Sequence, residues 1–389
     1  MQELANNNSA LSLGFIGGSL RSAVGYTHFS ACMMDNKWSL VSGCFSRDAE
    51  CNRDTANAYG VHTDRLYDNW QDMLIAEKDR VDAIAILTPT PSHFEMVTAC
   101  LRAGIPVICE KDLAATTGEA EQILELRDAT HGFVAVTFNY SGYPMVRELR
   151  HLIRTGALGE VLHFQAEMPQ EGFRRVDAQG NKPTPQAWRL HDGRVPTLHL
   201  DLGSHLHHLV HYLTGQNPLE VVSDQGSYGW FRVIDNVTCL CRYSEGIQGQ
   251  IWFSKSALGQ RNGLRLRIYG SEASAEWFQA SPEELLLSFA DGHRQVVDRA
   301  STVQVTGLRR YNRFKAGHPA GFIEAFANLY WDLAESVRQR RSTGRWVSEE
   351  VFGVELSLEG LLMLEAMVLS TTTRQWEPVA FQSRAMASR

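Results

Sequence analysis

Residues 83–87 read Ala-Ile-Ala-Ile-Leu, a run without a polar face. A strand whose side chains are all apolar must be covered on both sides, as in a parallel sheet flanked by helices. The surrounding residues repeat the theme. Leu11–Ile16, Trp38–Phe45, Val107–Cys109 and Phe133–Thr137 are short apolar runs, with helical patterns at Ala49–Tyr59, Ser92–Ala103 and Thr117–Asp128 between them. Thr116 with Glu119 opens the last helix as a capping box. Strands alternating with helices predict a doubly wound, parallel α/β domain over residues 1–140.

A chain of 389 residues is too long for one ordinary core, so residues 141–389 are expected to form a second domain. The pattern changes there. Met145–Thr155 reads as a helix, Val161–Met168 as a strand, and a loop rich in Gly, Pro and Arg runs to about Pro196. Leu202–Thr214 is helical, and strands of period two fill Glu220 to about Asp298. In the segment Gly263–Tyr269, Leu264, Leu266 and Ile268 alternate with polar neighbours, as an antiparallel sheet buried on one face requires. Amphipathic helices near Ala320–Arg338 and Val351–Ser370 follow.

Composition narrows the function. A net charge of −7 and a pI near 6.1 leave no basic face for nucleic acid. No apolar run reaches the roughly 18 residues that a membrane span needs. Met1–Asn8 lacks the basic and apolar regions of a signal peptide and reads as a disordered lead-in. The seven cysteines are scattered without a C-x-x-C pair, so they are expected to pack as thiols in a reducing cytoplasm.

Three segments carry chemistry. Gly17-Gly18-Ser19-Leu20-Arg21-Ser22 sits between the first strand and the next helix, where a dinucleotide loop lets backbone N–H groups approach a pyrophosphate. Its third and sixth positions are Ser19 and Ser22 instead of glycine. Next, Thr88-Pro89-Thr90-Pro91-Ser92-His93 follows one apolar strand and Glu110-Lys111 ends another, at the carboxyl edge where open α/β sheets bind ligands. Finally, Asp201 and His205 are four apart and would share a helix face, a carboxylate steadying a histidine that exchanges a proton. His207, His208 and His211 lie on the same helix without a dedicated metal-ligand spacing, and no metal is expected. After the second strand, Ser46-Arg47 stands where a ribose-binding carboxylate is usual, and Asp48 comes two positions late. Arg47 with Arg21 would clamp a 2′-phosphate, which favours NADP over NAD. The alternative for Ser46 is a helix cap.

Together with Gly25-Tyr26-Thr27-His28, Asn139-Tyr140, Trp188-Arg189, Asp201-x-Gly203-x-His205 and Gly317–Phe326, these motifs resemble the glucose–fructose oxidoreductase, inositol dehydrogenase and MocA family over nearly the whole chain. The resemblance implies a Rossmann domain joined to an α/β domain with a large, open, mostly antiparallel sheet through which copies associate as homodimers or homotetramers. It implies NAD(P) as cofactor and a sugar, sugar derivative or inositol as substrate. Lys111, Asp201 and His205 would be catalytic. Gly17, Gly18, Ser19, Thr88, Pro89, His93, Glu110, Asn139 and Trp188 would line the cofactor, joined by Arg21, Ser46 and Arg47. Lys111, Tyr140, Arg189 and His208 would meet substrate. One position departs: Asp112 follows Lys111 where the family has proline. If that proline sets the lysine's backbone through a cis bond, Asp112 would adopt it at a cost of about 3 kcal/mol.

Three functions fit such a chain. The first is reversible hydride transfer at a ring hydroxyl. The second is a glycosidase or lyase that oxidises the ring transiently and keeps its dinucleotide. The third is a non-catalytic sensor, which would need no Lys111, Asp201 or His205.

Overall fold

The computed structural model describes residues 9–380; the lead-in expected at Met1–Asn8 lies outside them. The chain divides into two compact units, and the division is not linear. The first runs to Gly142 and takes back Gly321–Ser357; the second holds Tyr143–Ala320 and resumes at Leu358.

In the first unit β1 (Leu11–Gly17), α1 (Gly25–Met34), β2 (Trp38–Cys44), α2 (Ala49–Tyr59), α3 (Trp70–Glu77), β3 (Ala83–Leu87), α4 (His93–Arg102), β4 (Val107–Cys109), α5 (Thr117–Thr130) and β5 (Val134–Val136) follow in order. The strands form one sheet in the order β2-β1-β3-β4-β5, every pair parallel. β3 is buried along its whole length, as its composition requires. Its register sets Gly17 beside Leu87 and Ile86 beside Cys109, so the carboxyl ends of β1, β3 and β4 lie at one edge. The α5 cap forms as expected on one side, Thr116 Oγ1 accepting from Glu119 N at 3.3 Å. The glutamate reaches Ala115 N at 2.9 Å instead of the cap residue itself.

The returning segment supplies a long helix, Phe322–Thr343, whose Phe326, Leu329, Tyr330, Leu333 and Val337 join the same core as Phe15, Trp38 and Ile108. Trp38 Nε1 donates to Tyr330 O at 2.8 Å. Each such large side chain taken out of water stabilises by about 1.5–3 kcal/mol, so the returning helix is integral to this unit.

The second unit begins with α6 (Pro144–Arg154), β6 (Val161–Pro169), a π turn at His199–Gly203, and α7 (Ser204–Thr214). Then come β7 (Pro218–Gly226), β8 (Asn236–Tyr243), β9 (Gln248–Ser254), β10 (Arg265–Gly270), β11 (Ala273–Phe278), β12 (Leu285–Phe289) and β13 (Arg294–Val297). The returning helix is α8; after α9 (Val354–Thr373), the short β14 (Glu377–Pro378) completes a nine-stranded sheet, β13-β12-β11-β10-β6-β9-β8-β7-β14. Every pair is antiparallel except β6 with β9. β8 alternates strictly between buried and outward residues, leaving Leu240 45% exposed on the open face, with Leu162 and Leu219 also exposed. Among the described residues no helix is long and apolar enough to cross a membrane, and all seven cysteines are buried thiols.

Candidate active site

The first unit gathers its site residues at the carboxyl edge of its sheet. Gly17 and Gly18 take φ of +81° and +74°, a region that side chains resist. A Cβ on Gly17 would lie 2.9 Å from the Leu87 backbone. The loop after them is longer than the sequence spacing implied, because α1 begins only at Gly25. There a Cβ would stand 2.2 Å from Gly18 O, so Gly25 is the glycine that lets helix and loop pack closely. Ser22, counted as a substitute for that glycine, instead accepts from Gly25 N with its hydroxyl at 3.2 Å. Ser19 is buried, and Tyr59 Oη donates to Gly18 O at 3.2 Å.

Beyond β2, Ser46 is half-buried and Arg47 exposed. The cap of α2 is Asp48, which accepts from Cys51 N at 2.7 Å, while Ser46 Oγ accepts from Asp48 N at 3.1 Å. Arg21 lies 3.9 Å from the Asp48 carboxylate, both side chains being well exposed. The late Asp48 is thus committed to helix capping.

Thr88 is half-buried and Pro89 exposed. His93 corrects its expected role. Its ring is fully buried, with Nδ1 2.6 Å from Asp112 O and Nε2 2.7 Å from Thr88 O. Burial holds its pKa below the ordinary histidine value, although the two carbonyls oppose this. Both ring nitrogens face main-chain carbonyls and the neutral ring donates to one of them, so His93 is a buried tie between the segments that follow β3 and β4. The Lys111–Asp112 peptide, next to the Asp112 carbonyl that His93 meets, is cis.

Glu110 is buried beneath Lys111. Its Oε1 accepts from His28 Nε2 at 3.0 Å and from the Thr137 hydroxyl, and His28 Nδ1 meets Tyr330 Oη at 2.9 Å. Burial alone would raise this carboxyl; the His28 hydrogen bond and charge, Lys111 and Thr137 outweigh it and hold the pKa at about 2. Glu110 is therefore an anion at all ordinary pH, placed one residue before a half-buried lysine. Asn139 is 2% exposed, and its Nδ2 has no acceptor among the described residues. Tyr140 beside it is buried, its ring 6.1 Å from that of Phe322. A positive-φ glycine cradle, a helix N-terminus and a buried orphan donor along one sheet edge fit a dinucleotide.

The second unit holds a separate cluster. The π turn at His199–Gly203 precedes α7, so the even four-residue spacing assumed for Asp201 and His205 is interrupted. A Cβ on Gly203 would lie 2.7 Å from Leu364 Cδ2, which explains the glycine of Asp201-x-Gly203 as a close approach to α9. Asp201 Oδ2 accepts from Arg189 and from Lys255, whose ammonium is almost wholly buried. Arg189 stacks its guanidinium 4.6 Å from the Trp188 ring centroid. His205 is 6% exposed in the first turn of α7.

His208, expected to meet substrate, is a core residue. It is 1% exposed, stacks 5.9 Å from Tyr212, and burial pushes its pKa well below the histidine range. His207 Nε2 pairs with Glu359 Oε1 at 2.9 Å. Among the described residues no group of His, Cys, Asp or Glu is arranged to hold a metal.

Sequence reading missed Lys255, His199 and the His28–Thr137 support of Glu110. No sequence signal marks Lys255, which directly follows β9. His199 is fully buried, its edge toward Phe253 at 5.4 Å, with neither ring nitrogen partnered among the described residues.

A five-stranded parallel sheet with a glycine loop, joined to a nine-stranded open sheet, defines a nicotinamide-type oxidoreductase. The chain belongs to the GFO/IDH/MocA family: residues 11–138 match the oxidoreductase family's NAD-binding Rossmann fold, and residues 146–276 its C-terminal domain. It is 30% identical to an uncharacterized oxidoreductase of Bacillus subtilis, YfiI, over 91% of this chain and 93% of that one. An inositol 2-dehydrogenase of Serratia proteamaculans is 33% identical across 42% of this chain and 47% of its own. The crystal structure of an inositol dehydrogenase homolog from Azotobacter vinelandii, complexed with NADH and myo-inositol, superposes with a TM-score of 0.85 at 27% identity, covering 95% of this chain and 98% of that one.

Proposed function

We propose that the protein catalyses NAD(P)-dependent oxidation and reduction of a ring hydroxyl on a sugar, sugar derivative or inositol. The observation that carries this reading is the single sheet edge holding Gly17-Gly18, Thr88, Glu110-Lys111 and Asn139. Relatives named for inositol support the substrate class. When bound, the nicotinamide exchanges a hydride with the carbon that bears the hydroxyl.

The protein's own residues do the rest. Gly17, Gly18 and Ser19, with the N-terminus of α1, hold the pyrophosphate; Asn139 donates from its buried amide. Lys111, backed by the permanently ionised Glu110, contacts the reacting oxygen and stabilises negative charge developing there. His205 accepts the hydroxyl proton during oxidation and returns it during reduction. Asp201, fixed by Arg189 and Lys255, orients the substrate side of the site. Arg47 and Arg21 select NADP. The first unit is the dinucleotide-binding domain. The second is the substrate domain, and its open sheet face joins copies into a dimer or tetramer in the cytoplasm.

Mass spectrometry of the purified protein should reveal a retained NAD or NADP, and a panel of sugars and inositols should include one that reduces added dinucleotide. A protein that neither retains nor binds either dinucleotide refutes the reading.

A further inference from the structure

Two cations of the second unit stand over one exposed indole without a carboxylate to answer them. Arg174 Cζ lies 4.3 Å and Lys182 Nζ 4.7 Å from the Trp230 ring centroid. The nearby acids in sequence are engaged elsewhere. Glu171 takes Arg175 at 3.5 Å and Arg261 at 3.1 Å, and Asp177 caps its own turn through Gln179 and Asn181. Asp192 accepts from Thr197 and Ile234. Among the described residues neither Arg174 nor Lys182 forms an ion pair. Like charges gathered on one ring repel each other, and an anion that bridges them removes that repulsion.

The indole is built in. Trp230 N donates to Phe173 O at 3.0 Å, and its Nε1 donates to Arg174 O at 2.9 Å. Fully buried Asp235 holds the turn, accepting from Tyr228 N at 2.9 Å, Gly229 N at 2.5 Å and Ser256 Oγ at 3.0 Å. A Cβ on Gly229 would lie 2.6 Å from that carboxylate and 2.7 Å from Phe173 O, so the turn requires glycine. Both loop segments of this arrangement are anchored to Lys255: its N donates to Asp235 O at 2.8 Å, and Phe173 N donates to its O at 2.7 Å. The residue whose ammonium pairs with Asp201 therefore also fixes the segment bearing Arg174 and the turn bearing Trp230.

We propose that Arg174, Lys182 and Trp230 form a subsite for a carboxylate or phosphate carried by the substrate, making the substrate a sugar acid or sugar phosphate instead of a neutral polyol. Arg174 and Lys182 donate to the anion's oxygens, and the indole holds both cations in direction. This deepens the reading given under Proposed function and rests on it.

The test is calorimetric binding of glucuronate, glucose 6-phosphate and glucose to the whole protein with NAD or NADP present. One of the two anions should bind at least about tenfold more tightly than glucose, as one charge-assisted hydrogen bond supports, and added salt should weaken that preference. The phosphate and carboxylate arms tell which anion the subsite takes. The preference should vanish in R174Q/K182Q and survive in R174K/K182R, which keeps both charges. Equal binding of all three ligands by the parent overturns the proposal. So does a preference that persists in R174Q/K182Q, or a double variant that changes only the assembly's mass in light scattering, which would mean that the cations face a second copy. Reduction of dinucleotide by neutral polyols alone sinks the subsite and leaves the oxidoreductase reading standing. An anion preference without any dinucleotide binding does the reverse.

Discussion

Replacing Glu110 by Gln tests whether the buried anion beneath Lys111 is as strongly held as its surroundings indicate. The carboxyl falls from an ordinary value of 4.5 to about 2 in the folded chain. At about 1.36 kcal/mol per pH unit, that depression is worth about 3 kcal/mol of stability at neutral pH. Glutamine keeps an oxygen that accepts from either His28 or Thr137 but loses the charge, so most of this should disappear. For a unit of this size each kcal/mol moves the melting temperature by about 2–4 °C, giving a fall of about 6–12 °C. The sign of the pH dependence is fixed. A depressed carboxyl contributes in full above its unfolded value and loses that contribution as pH falls through its folded one. The stability gap between parent and variant, read by urea unfolding, should therefore be constant from pH 8 to 5 and narrow from about 4.5 toward 2. A gap that does not change with pH, or a variant as stable as the parent, would refute the argument that His28, Lys111 and Thr137 outweigh burial.

Further outcomes follow from the same geometry. His199, fully buried and held neutral with a pKa near 3, should cost stability as pH falls from about 6.5 toward 3, by up to about 1.4 kcal/mol per unit; His199→Leu should flatten that slope in pH-resolved unfolding. Lys111→Ala should lower turnover by about a hundredfold or more while the dissociation constant for dinucleotide stays nearly constant. His205→Asn should cut turnover by two to four orders of magnitude, roughly, and abolish the acid limb of hydroxyl oxidation; retention of both rate and limb would move the base elsewhere. Arg47→Ala should weaken NADP binding roughly ten- to a hundredfold relative to NAD, and equal weakening of both speaks against the phosphate clamp.

The parallel sheet was legible because burial on two faces leaves a composition that only one environment tolerates. Ala83–Leu87, Val107–Cys109 and Ala49–Tyr59 appear in the structure with the bounds read from the sequence. The glycine loop was half legible. Gly17 and Gly18 declare themselves by position, whereas Gly25 is needed for its distance to Gly18 O, a relation made by the fold and not by spacing. The histidines misled for a related reason. His93 and His208 are chemically able to meet a ligand, but a ring nitrogen on a carbonyl or a ring sealed in the core is visible only in three dimensions. The π turn before α7 carries no composition signal, and Lys255 becomes notable only once its ammonium is seen on Asp201.

The return of α8 to the first unit dictates an order of events during synthesis. Strands β1 to β5 leave the ribosome early, yet Trp38 and Phe15 lack Tyr330 and Leu333 until the whole intervening unit has been made. At about 5–20 residues per second that interval lasts on the order of ten seconds or more. Through it, an aromatic-rich sheet face stays unfinished and open to premature association. The chain is accordingly poorly suited to being cut after Gly142. A fragment ending there would carry the glycine loop and Lys111 but lack the Tyr330 hydroxyl that engages His28 behind Glu110, and its remedy would be to receive residues 321–357 as a second piece.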